Sequence, residues 1–197
     1  MTGERIQTKV LSVQMLPNAD RRLLERLQVP EGHCSLGLLT TDCDDVSYAA
    51  LDEATKKADV KVVYAKSMYA GSGNASTALA GEFIGILSGP DPAEVKSGLE
   101  AAVSYMVHDA AFYTANDDGS VVYFAQLISR CGSYLAEIAD VPAGTSIAYL
   151  IAPPMEAMMG LDAAVKAAGV ELRVFYGPPT ETNFAGGLLV GEQSACQ

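Results

Sequence analysis

Basic residues are scarce in this chain. Against 24 Asp and Glu it has 13 Lys and Arg, a formal net charge of −11 at pH 7. That balance speaks against a nucleic-acid or anionic-membrane partner, since both reward clustered cations. Histidine is rarer still: His33 and His108 stand in different segments, without the spacing of metal ligands. Four cysteines (Cys34, Cys43, Cys131, Cys196) are scattered with no C-x-x-C pair. This disfavours a zinc knuckle or redox dithiol and fits reduced thiols in a cytosolic chain. No apolar run approaches the roughly 18 residues of a membrane span, and the polar opening MTGERIQTKV does not read as a signal peptide. G-x-S-x-G, phosphate-loop and Cys–His signatures are missing too, so no activated nucleophile is in view. Gly71 and Gly73 in YAGSGNAST lack a following G-K-[ST] and read as turn glycines.

What is present is a globular composition, 49% hydrophobic and 19% charged over 197 residues, and a sequence written twice. LDEATKKADVKVVY is answered by LDAAVKAAGVELRV: Leu51, Asp52, Ala54, Lys56, Ala58 and Val60 recur as Leu161, Asp162, Ala164, Lys166, Ala168 and Val170, an offset of 110. Upstream, LLERLQVPEG is answered by LAEIADVPAG, with Val29, Pro30 and Gly32 recurring as Val141, Pro142 and Gly144, an offset of 112. A period this long exceeds the roughly 20–50 residues of solenoid units and indicates a duplicated domain. The expected division is residues 1–108 and 109–197.

Each copy reads as the same series of elements. KVLSVQML and SVVYFAQLI are strand-like; helices ADRRLLERL and CGSYLAEIA follow, each closed by a Val-Pro-x-Gly turn. Then come an apolar strand (SLGLL, SIAYLIA), a second helix, and strands VKVVYA or VELRVFY and EFIGIL or GLLVG. Copy one adds a helix over DPAEVKSGLEAAVSYMV, with Asp91 placed as N-cap and Pro92 at the first helical position. The matching helix of copy two is expected after EQSACQ, where the sequence stops.

One stretch departs from the shared scaffold. TTDCDDV carries Asp42, Asp44 and Asp45 where copy two has APPMEAM. An Asp at position 44 or 45 suits an N-cap, worth about 1 kcal/mol, but one cap does not explain three carboxylates. A duplicated metal-dependent enzyme using Asp42, Asp44 and Asp45 is one alternative, and a small-molecule sensor is another. Lys56 and Lys166 recur near helix C-termini, where a cation suits the dipole. Met155, Met158 and Met159 read as packing residues.

The strings D-C-D-D-V, S-M-Y-A-G, G-S-Y-L, A-Y-L-I-A-P-P and P-P-T-E-T-N-F together resemble EutL-type tandem shell proteins of ethanolamine-utilisation microcompartments. The resemblance runs from about residue 6 onward; shell proteins of propanediol-type compartments match these strings less well. It implies an α/β (α+β) fold of two tandem, circularly permuted microcompartment domains, each a mainly antiparallel sheet flanked by helices. Three chains would form a flat pseudo-hexagonal trimer in a shell inside the cytoplasm, beside other shell proteins. The resemblance also implies a structural rather than enzymatic role, no cofactor, a gated central pore, and small pores that hold ethanolamine. Carried onto this sequence, the small-pore residues are Asp44, Asp45, Glu82, Phe112 and Thr182. Carboxylates would attract the ammonium group, and an aromatic face would add a cation–π contact of roughly 0.5–2 kcal/mol. Cys43 and Cys131 stand where family members can carry small polar residues.

Overall fold

A computed structural model describes residues 2–68, 82–178 and 184–197. In chain order its elements are β1 (Arg5–Ile6), β2 (Val10–Leu16), α1 (Arg21–Arg26), β3 (Ser35–Thr41), α2 (Asp44–Lys57), β4 (Lys61–Met68), β5 (Glu82–Gly89) and α3 (Pro92–His108). There follow β6 (Phe112–Thr114), β7 (Val122–Ile128), α4 (Ser133–Ala139), β8 (Ser146–Ala152), α5 (Pro154–Ala167), β9 (Val170–Tyr176), β10 (Ala185–Gly191) and α6 (Gln193–Cys196).

These elements gather into two units. The N-terminal unit is Thr8–Ala110 together with Gly132–Tyr134; the C-terminal unit comprises the residues up to Gln7, Ala111–Cys131 and Leu135–Gln197. The N-terminal sheet runs β2-β3-β5-β4, and the C-terminal sheet runs β1-β6-β7-β8-β10-β9. Every paired strand is antiparallel. The order β7-β8-β10-β9 repeats β2-β3-β5-β4, so the duplication read in the sequence is a duplication of topology.

The repetition extends to backbone detail. Gly32 and Gly144 both have φ of 89°, and Gln28 and Asp140 both have φ of 52°. Each pair is separated by the offset of the Val-Pro-x-Gly turns, where the chain must pass through the left-handed region. The β4–β5 and β9–β10 hairpins each skip one residue, Val63 and Arg173, at the other offset. Such a bulge re-aims a side chain. Arg173 donates to the carbonyl oxygens of Ala139 (3.3 Å) and Asp140 (2.9 Å), at the C-terminal end of α4.

The N-terminal core lies where α2 and α3 cover the sheet, around Leu36, Leu39, Leu51, Phe83, Leu87, Val95, Leu99 and Met106. Burying each large apolar side chain contributes about 1.5–3 kcal/mol. Gly37 lets α3 close down on β3: a Cβ there would lie 2.7 Å from Val95 Cγ1 and 2.8 Å from Leu99 Cδ1. Asp91 caps α3 as expected, accepting the N–H groups of Ala93 (2.8 Å) and Glu94 (3.0 Å), with Pro92 opening the helix. In the C-terminal unit an aromatic chain links Phe184, Phe112, Phe124, Tyr149 and Tyr176, with ring centroids 5.3–6.2 Å apart.

Two readings of the sequence need correction. Cys43, not an aspartate, is the N-cap of α2, with extended φ and ψ (−148°, 120°) and no side-chain cap; Asp44 and Asp45 sit one step inside. The helix can begin there because two first-turn carboxylates complement its dipole. Met155, Met158 and Met159 are exposed on α5 instead of packed, Met158 at 45%. Along α5 only Ala157 and Leu161 are buried. All four cysteines are free thiols.

Candidate ligand-binding site

The acidic stretch folds at the end of β3, where the chain turns into α2. Thr41 is fully buried, and its hydroxyl donates to that of Ser47 (2.6 Å). Ser47 also donates to the Cys43 carbonyl (2.6 Å). These bonds fix the turn. Asp42 holds it from the other side, accepting the Lys9 N–H (2.7 Å) while its own N–H donates to the Lys9 carbonyl (3.1 Å). Asp42 therefore anchors the turn to the chain entering β2.

Asp44 and Asp45 are only 5% and 6% exposed. Asp44 Oδ1 accepts the Asp45 N–H (2.9 Å), Oδ2 accepts the Ser67 hydroxyl (2.5 Å), and the Asp45 side chain lies within hydrogen-bonding reach. Burial pushes the Asp44 carboxyl above the ordinary carboxylate range, and these hydrogen bonds only partly offset it. The Cys43 thiol beneath them is pushed well up by burial first, then by the charges of Asp45 and Asp44. Two adjacent carboxyls withdrawn from water are costly to ionise together unless a cation joins them. An ammonium group with hydrogens to donate to both is the simplest such cation.

Glu82 is half-buried at the start of β5 and faces Met68 across the hairpin; the next rung pairs Phe83 with Ser67, the hydroxyl partner of Asp44. The structure thus brings Asp44, Asp45 and Glu82 to one end of the N-terminal sheet. Phe112 belongs to the C-terminal unit, 1% exposed, its ring stacked on Phe124 and edge-on to Phe184. The expectation that its ring offers a face to a cation is corrected: its neighbours already occupy it. Thr182, Gly71 and Gly73 lie outside the described residues. Ser67, Thr41 and Ser47 were not singled out from the sequence, because a hydroxyl near a strand end has no local signature of its partner.

The metal-dependent enzyme and sensor alternatives find no support. Asp42 is committed to the Lys9 backbone, and among the described residues no three His, Cys, Asp or Glu side chains form a group that could hold a metal ion. Among those residues no helix is long and apolar enough to cross a membrane.

A doubled antiparallel scaffold carrying a buried acidic pair in one copy defines a class that comparison makes explicit. Residues 35–116 match the BMC domain family. The bacterial microcompartment shell protein EutL of Clostridium perfringens is 57% identical over 197 residues, which is 100% of this chain and 91% of that protein. Its counterpart in Salmonella typhimurium is 44% identical over 192 residues, 98% of this chain and 88% of that protein. A crystal structure of ethanolamine utilization protein EutL from Leptotrichia buccalis superposes with a TM-score of 0.94 at 61% identity, covering 100% of this chain and 90% of that one. The chain belongs to the EutL family of bacterial microcompartment shell proteins.

Proposed function

We propose that the protein is a non-enzymatic tile of an ethanolamine-utilisation microcompartment shell, assembled as a trimer alongside other shell proteins. In this reading the Asp44–Asp45 pair, with Glu82, lines a small opening that admits ethanolamine or a similar metabolite. The buried carboxyl pair carries the reading: a shell scaffold has no packing need for it, and it appears in one copy only. Ethanolamine at neutral pH supplies an ammonium for the carboxylates and a hydroxyl for the polar rim. Passage requires weak binding, since a tightly held solute does not leave.

Calorimetric titration of the full chain tests this. Ethanolamine is expected to bind with a Kd of roughly 1 mM, about −4 kcal/mol. Ethylene glycol, which keeps the size and hydroxyls but lacks the charge, is expected not to bind measurably. Equal affinity for the two would remove the carboxyl pair from the mechanism.

A further inference from the structure

The turn that carries the acidic pair is polar in one copy and apolar in the other. At the offset of 110, Asp44, Asp45, Ser47 and Ser67 become Pro154, Met155, Ala157 and Gly177. Thr41, the last residue of β3, stands opposite Phe83, as Ala152, the last of β8, stands opposite Ala185. In the second copy Ala152, Ala157 and Ala185 pack together as a buried apolar cluster. The scaffold therefore closes this turn without hydroxyls or carboxyls. The Thr41–Ser47 bond is accounted for by the turn it fixes. Ser67 comes from β4, and its hydroxyl goes to Asp44.

One rung of the N-terminal sheet runs Thr41, Phe83, Ser67, and residues opposed in an antiparallel sheet share a face. Thr41 bonds Ser47, and the Phe83 ring meets Tyr48 edge-on at 5.0 Å, so this rung faces the start of α2. From it Ser67 donates to Asp44 Oδ2 (2.5 Å), while Oδ1 accepts the Asp45 N–H (2.9 Å). Donors from two elements thus hold both oxygens and fix the plane of the carboxyl. A hydroxyl donating to a carboxylate favours the ionised form. After burial, Ser67 is the largest influence on the Asp44 carboxyl, and it acts against burial.

We propose that Ser67 is a positioning residue of the amine site, whose hydroxyl orients the Asp44 carboxyl and holds it in the ionised form that an ammonium group requires. This role presupposes that ethanolamine binds at the acidic pair, and it adds what sets the pH range of binding. Other charged or titratable groups on the surrounding elements are Cys43 and Asp45 beside Asp44, Asp42 after β3, Lys9 before β2, Lys66 next to Ser67, Glu82 opening β5, and His108 and Asp109 at the end of α3. The Cys43 thiol is pushed well up by burial and stays neutral. Asp42 is committed to the Lys9 backbone. Lys9, Lys66, His108 and Asp109 are exposed, where solvent screens them. Asp45 and Glu82 are the same in a Ser67 variant, so a difference from the parent chain reports the hydroxyl.

Calorimetric titration of the full chain with ethanolamine, from about pH 4.5 to 8.5, tests the role. Ser67→Ala is expected to bind about tenfold more weakly than the parent at the acid end, with the rise of affinity displaced upward by about one pH unit. At the alkaline end, where both carboxyl pairs are ionised, it should match the parent within about threefold. Ser67→Thr keeps the hydroxyl, suits a strand, and should follow the parent within about threefold throughout. Circular dichroism melts establish that each variant is folded. Unchanged affinity of Ser67→Ala at every pH overturns the role while leaving the site standing. A loss uniform across pH, the mark of a merely structural residue, overturns it as well, and so does Ser67→Thr behaving as Ser67→Ala. A parent chain that binds no ethanolamine at any pH overturns the site reading and this role with it.

Discussion

The carboxylate of Asp52 accepts the Gly132 N–H at 2.7 Å from a fully buried position, whereas its counterpart Asp162 is 61% exposed and pairs with Lys166 on its own helix. One ancestral position has become a structural anchor in one copy and a surface charge in the other. Replacing each by alanine should separate the roles. Asp52→Ala leaves a buried amide without its partner and should cost about 2–3 kcal/mol in chemical denaturation. Asp162→Ala, measured below the concentration at which subunits associate, should change stability by no more than about 0.5 kcal/mol.

Gly132 is the other side of that anchor. A Cβ there would fall onto Thr55 Oγ1 and the Asp52 carbonyl oxygen. One of these is backbone, so a side-chain rotation cannot relieve both. Gly132→Ala should destabilise the chain by about 2–3 kcal/mol through overpacking and loss of the Asp52 bond. A urea midpoint equal to that of the parent chain would show that the segment moves aside freely.

Asp44 gives stability a definite pH dependence. Its folded-state pKa is raised from the ordinary value near 3.8, chiefly by burial. Its contribution is thus full below that value and is lost as pH rises through the raised one. Asp44→Asn cannot ionise and should gain stability relative to the parent chain as pH climbs from about 4, levelling off once the parent's Asp44 has ionised. Thermal melts across pH check the sign; a variant that gains on acidification contradicts it.

Ethanolamine binding should follow the same titration in the useful direction. A cation favours the ionised carboxyl pair, so affinity should rise with pH through the Asp44 titration and release protons on binding. Asp45→Ala should weaken binding at least about tenfold, the loss of one charge-assisted hydrogen bond in a dry site, while the trimer persists by light scattering. Unchanged affinity would take Asp45 out of the site.

Elements whose pattern is local were legible in the residues. SIAYLIA and VELRVFY coincide with β8 and β9, and Asp91-Pro92 marks the start of α3 because capping and proline geometry act within a few residues. The duplication located Gly32 and Gly144 before their left-handed backbone was seen. Strands β1 and β6, with two and three residues, are too short to show a period and are defined by their pairing, β1 with β6 and β6 with β7. The acidic stretch announced itself by its asymmetry, but its hydroxyl partner Ser67 stands 23 residues away and is supplied by β4. The methionines of α5 misled because an apolar residue at helical spacing reads the same whether it faces a core or a partner.

The most direct test of the central claim is a crystal structure of the assembled protein soaked with ethanolamine. The expected result is a trimer in which the ammonium nitrogen lies within hydrogen-bonding distance of the Asp44 and Asp45 carboxylates near Glu82. Ethanolamine bound elsewhere, with that carboxyl pair unoccupied at saturating concentration, would contradict it.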